Sequence, residues 1–155
     1  KFISEIGIGE INGLTIDNND KILNSTFDKF YIYNLKGDLI NSWNLENNIE
    51  KIQLSRKIAT YNDEIYIIDT GFNRVSVFSY QGVLLDLENF GEEAGNFRYP
   101  WGITIYRGIV FITDSQNKRI QAFTQYGKYI LETKCERSKD MADIVIVDDY
   151  IYVND

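Results

Sequence analysis

The chain has 155 residues, 44% hydrophobic and 14% aromatic, which suits one domain with a buried core and not a disordered tail. A formal charge of −7 works against nucleic acid as a partner, because phosphate binding is driven by Lys and Arg displacing counterions. With no histidine and a single cysteine, Cys135, these residues hold no intrachain disulfide, no Cys/His zinc cluster and no histidine acid–base chemistry.

No apolar run approaches the roughly 20 residues that span a bilayer, and no signal-peptide pattern is present, so the compartment stays open. The first segment, KFISEIG at residues 1–7, reads as the outermost strand of a preceding or closing sheet. From residue 8 onward the chain copies itself at a spacing of 45 residues. The stretch DTGFNRVSVF, Asp69 to Phe78, returns reworded as DSQNKRIQAF, Asp114 to Phe123. Asn24, Asp69 and Asp114 share a column; Lys29, Arg74 and Arg119 share another; Gly37, Gly82 and Gly127 share a third.

Residues 8–47, 48–92 and 93–137 are each expected to form four short antiparallel strands. In the second copy they read KIATY, EIYIID, VSVFSY and LLDLENF; in the third, WGITIY, IVFITD, IQAFTQY and YILETK. Residues 138–155 supply the first two strands of a further sheet. The breaks carry turn residues, and Pro100 sits at a strand start where its missing N–H does no harm. No helix is expected. Short four-stranded sheets at this period indicate an all-β fold, a β-propeller, in which each sheet buries its faces against its neighbours. The chain then holds about three and a half blades, fewer than the four or more of a closed ring. The remaining blades come from the same chain or from a homo-oligomer, unless the ring is four-bladed and short of about one strand.

These columns resemble the NHL repeat family. The third copy, YPWGITIYRGIVFITDSQNKRIQAFTQYGKYIL, carries the P-x-G strand, the strand ending in Asp, the loop with Asn and Arg, and the Gly before the outermost strand. The second keeps YIIDTGFNRVSVFSYQGVLL, whereas the first places Asn24 and Lys29 where the family has Asp and Arg. The resemblance implies a six-bladed ring of which this chain is part, with ligands carried on the surface made by the interblade loops.

The Asp69–Arg74 and Asp114–Arg119 pairs recur once per copy, so they are expected to tie the loop between the second and third strands by charge-assisted hydrogen bonds. Gly37, Gly82 and Gly127 are expected to supply positive φ at the turn into the fourth strand. Trp101, flanked by Pro100 and Gly102 at an innermost strand, is the candidate binding residue, with Tyr99, Arg98 and Phe72 on the same face. Lys134, Arg137 and Lys139 read as solvated loop charge. DNND, Asp17 to Asp20, reads as a tight turn and lacks the spacing of a calcium loop; Asn24 begins an NST sequon at a strand end. No catalytic residue, metal site or cofactor is read from the sequence. The expected role is non-catalytic recognition of a protein or peptide, or assembly. The alternatives are an enzyme related to propeller lyases and hydrolases, including the peptidylamidoglycolate lyase that resembles NHL proteins, whose metal or catalytic residues lie outside this segment, and an RNA-binding NHL domain.

Overall fold

The structure is a computed structural model that describes residues 11–26, 28–45, 52–82, 84–86 and 97–154. The strand expected at residues 1–7 and most of the linker before Phe97 lie outside them. The first sheet is formed by β1 (Gly13–Ile16), β2 (Lys21–Ser25), β3 (Lys29–Asn34) and β4 (Leu39–Asn44). The second holds β5 (Ser55–Tyr61), β6 (Glu64–Asp69), β7 (Arg74–Ser79) and β8 (Leu84–Asp86). The third holds β9 (Pro100–Tyr106), β10 (Ile109–Asp114), β11 (Arg119–Thr124) and β12 (Tyr129–Lys134), and the last pairs β13 (Asp143–Val147) with β14 (Tyr150–Asn154). Every pairing is antiparallel between consecutive strands. Among the described residues the only helical element is a single 3-10 turn, Ser115–Asn117.

The alternation along β6 explains the stacking. Ile65 and Ile67 join Leu23, Phe30 and Ile32 of the first sheet, while Tyr66 and Ile68 join Ile103, Val110, Ile112 and Phe123 of the third. A smaller cluster of Ile120, Met141 and Ile144 continues the pattern to the last sheet. Each such side chain contributes about 1.5–3 kcal/mol on burial, so the joints between sheets dominate over any exposed ion pair. No sheet could shield both its faces alone.

Irregularities repeat as well. A register shift between the third and fourth strands of each full sheet falls between Ile32 and Tyr33, between Val77 and Phe78, and between Ala122 and Phe123. Gly37, Gly82 and Gly127, in the turns that follow, have φ of 91, 77 and 78°. The bulge and the left-handed turn together bend the third strand into the fourth.

The innermost strands β1, β5, β9 and β13 lie side by side in sequence order. Gly102 permits the closest approach: a Cβ there would sit 3.0 Å from Asp143 Cα and 3.1 Å from Ala142 O. Past β9, Lys57 Nζ of β5 reaches Asp143 Oδ2 of β13 at 2.8 Å. Polar contacts also cross the joints. Tyr80 donates its hydroxyl to Asp17 Oδ2 at 2.6 Å, Thr70 Oγ1 donates to Pro100 O at 2.6 Å, and Tyr106 donates to Asp149 Oδ1 at 2.7 Å. The Asp17–Asp20 segment is the β1–β2 turn, closed by Asp17 Oδ1 accepting from the amides of Asn19 and Lys21. Asn24 is fully buried, which puts its amide out of reach of glycosylation in the folded chain.

Candidate interblade cleft

Two fully buried carboxylates organise one face of the molecule. Asp69, at the end of β6, accepts at Oδ1 from the amides of Gln53 (3.2 Å), Leu54 (3.1 Å) and Phe72 (3.4 Å), and at Oδ2 from Arg74 Nε (3.2 Å). Asp114, at the end of β10, accepts at Oδ1 from the Arg98 amide (2.6 Å). Its Oδ2 accepts from Asn117 Nδ2 (2.9 Å), Arg119 Nε (2.8 Å) and Gln121 Nε2 (3.1 Å). Arg119 turns its second arm to Glu132 at 2.7 Å. A carboxylate is needed here because it alone accepts from several donors while matching the guanidinium charge. Each aspartate therefore holds both its own loop and the linker that leads into the innermost strand of the same sheet. Asn24 has the equivalent place in the first sheet, fully buried, but among the described residues neither end of its carboxamide has a partner.

Holding both linkers leaves a cleft of about 570 Å³ between the second and third sheets. Its walls carry Gln53, Gly71, Asn73, Arg98, Tyr99 and Gln116, with Leu54 and the buried Thr70 beneath. Gly71 leaves room for Gln53, whose side-chain atoms would lie 2.6–2.8 Å from any Cβ placed there. Asn73 and Tyr99 face each other across the rim: Asn73 Oδ1 accepts from the Tyr99 amide at 2.7 Å. Both have left-handed backbones, φ 55 and 59°. For a bulky residue such as Tyr99 that conformation costs about 1–3 kcal/mol, and such strain clusters at binding sites.

Of the residues expected on this face, Arg98 and Tyr99 line the cleft. Trp101 does not; its ring meets Tyr99 at 5.5 Å, and the Arg56 guanidinium lies 4.3 Å from its centroid. Phe72 is 52% exposed beside the cleft, with the Arg74 guanidinium 4.9 Å from its ring centroid. Gln53, Asn73 and Gln116 escaped the sequence reading. The repeat held the signal: Gln53 and Arg98 occupy one column, as do Gly71 and Gln116, 45 residues apart. Among the described residues no group of His, Cys, Asp or Glu could hold a metal ion.

No protein-family model matches the sequence, and no curated protein matches it. Solved structures do. A protein of unknown function from Bacteroides caccae superimposes with a TM-score of 0.74 at 12% identity, over 93% of this chain and 55% of that one. The computationally designed Ika4 protein gives 0.70 at 11% identity, over 99% and 91%. A catalytically inactive virginiamycin B lyase from Staphylococcus aureus, solved with quinupristin, gives 0.69 at 17% identity, over 92% and 48%. The chain thus spans about half the length of the lyases it is similar to. At these identities the likeness shows the fold alone, and that fold is the β-propeller.

Proposed function

We propose that the chain is a non-catalytic, NHL-type propeller module that recognises a peptide segment of another protein in the cleft between its second and third sheets. The cleft itself carries this reading. It is held open by two buried aspartates, rimmed by a strained Tyr99, and lined with amide side chains suited to a peptide backbone. The NHL assignment rests on the repeated Asp, Arg and Gly columns. The outward faces of the terminal sheets expose Leu14 and Ile16 at one end and Val145, Val147, Tyr150 and Tyr152 at the other. Further sheets, from the same chain or from another copy, suit these faces as internal neighbours suit the rest.

A random linear peptide library displayed against the wild-type protein tests the reading. Enriched peptides are expected to bind at least ten-fold more weakly to Tyr99→Ala and Asn73→Ala variants. Peptides that bind both variants unchanged would defeat it.

The lyase reading has the structural likeness in its favour. The inactive virginiamycin B lyase carries a histidine-to-alanine change, and these 155 residues contain no histidine, so a lyase would need catalytic residues from outside them. Mass spectrometry of quinupristin incubated with the protein is expected to show it intact.

A further inference from the structure

The chain carries −7, yet among the described residues no acidic side chain lines the cleft. The two nearby carboxylates, Asp69 and Asp114, are fully buried and matched by Arg74 and Arg119. Arg98 is exposed and lines the wall, and its contacts are made by its backbone: the amide donates to Asp114 and the carbonyl accepts from Gln116. Among the described residues no ion pair or hydrogen bond engages its guanidinium. Lys118 stands exposed at the end of the same loop as Gln116, and the Arg56 guanidinium lies on Trp101 with its Nε unpartnered. The loops at the other end of the sheets carry Asp17, Asp20, Asp63, Asp148 and Asp149 together with Lys36, Arg107 and Lys128. An arginine fork without a partner among the described residues, set in a cleft beside amide donors, is suited to take a planar anion at two points.

We propose that the ligand of this cleft is a peptide presenting a carboxylate, held by Arg98 with Gln53, Asn73 and Gln116 hydrogen-bonding its backbone. This deepens the peptide reading above and rests on it. RNA offers anions too, but one face of the Trp101 ring carries Arg56, the Phe72 ring carries the Arg74 guanidinium, and Tyr99 is tilted 56° to Trp101, so these rings do not form a continuous stacking platform. The acidity of the chain also opposes a long phosphate backbone.

The test uses fluorescent hexapeptide pools of matched composition. One carries Asp and Glu with an amidated C-terminus, one is neutral with a free C-terminal carboxylate, and one is neutral and amidated; decauridylate is the fourth probe. Wild type is expected to bind at least one carboxylate pool ten-fold or more tightly than the neutral amidated pool, and the pool preferred identifies the source of the carboxylate. Arg98→Gln is expected to erase that preference and Arg98→Lys to keep part of it, with unfolding midpoints unchanged because the Arg98 side chain has no structural partner. Equal binding of all three peptide pools, weakened by Asn73→Ala, would overturn the carboxylate while leaving the peptide cleft standing. Tighter binding of decauridylate would overturn it in favour of phosphate. Binding of none of the probes would overturn both proposals.

Discussion

The joint between the first two sheets can be tested at Gly82. This residue sits in the β7–β8 turn of the second sheet at φ 77°, and a Cβ there would lie 2.7 Å from Cγ and Cδ2 of Trp43 in the first sheet. Trp43 cannot simply swing away, because its ring is stacked on Phe30 at 4.5 Å. Gly127 sits at φ 78° in the equivalent turn of the third sheet and shares the same left-handed backbone. At either glycine an alanine is expected to cost the left-handed backbone term, about 1–2 kcal/mol. Gly82→Ala carries that term plus overpacking of about 1–3 kcal/mol. Urea unfolding followed by tryptophan fluorescence and far-ultraviolet circular dichroism measures both. In a Trp43→Ala background the excess cost at Gly82 should vanish. An equal loss for Gly82→Ala in the wild-type and Trp43→Ala backgrounds would show that Trp43 does not rest on the neighbouring turn, and the account of one sheet packed on the next would fail at that joint.

Asp114→Ala removes a fully buried carboxylate that accepts from Arg98, Asn117, Arg119 and Gln121, and a loss of about 3–5 kcal/mol in urea unfolding is expected. Asn24→Ala removes no hydrogen bond at the equivalent place and should cost distinctly less in the same assay. The Tyr66 and Tyr80 hydroxyls are pushed up, first by burial and then by their hydrogen bonds to Glu64 and Asp17. These phenols stay protonated in the folded chain while the unfolded chain ionises near pH 10. Their contribution is therefore complete below that pH and lost as pH rises, by up to about 1.4 kcal/mol per pH unit per tyrosine. Urea midpoints between pH 8 and 11 should fall less steeply for Tyr66→Phe than for wild type; parallel curves would refute the assignment. Lys57→Met breaks the ion pair to Asp143 that links β5 to β13. Both groups are partly exposed, so the thermal midpoint should correspond to a change below about 1 kcal/mol.

The fold was readable in the sequence because a stacked sheet must restate its faces, turns and loop ties at each repeat. The period of 45 set the strands, and the glycine column marked the turns. The bulge before each of those turns was not readable, since a register shift leaves no residue type of its own. The departure at Asn24 was visible as a letter but not as a consequence: the position keeps its burial and loses its partners. The cleft was half visible. Arg98 and Tyr99 stood out by charge and ring, whereas Gln53, Asn73 and Gln116 are ordinary loop residues until two sheets are placed side by side. Trp101 drew notice for its size, yet its ring is taken up by Arg56 and Tyr99. No pattern in one copy can show a space that exists only between two.

Titration of the isotopically labelled protein with the tightest-binding peptide, followed by amide chemical shifts, tests the central claim most directly. The account predicts that the largest shifts fall at Gln53, Asn73, Arg98, Tyr99 and Gln116. Shifts concentrated instead on the opposite turns, at Asn18, Asn62, Gly108 and Gly127, would contradict it.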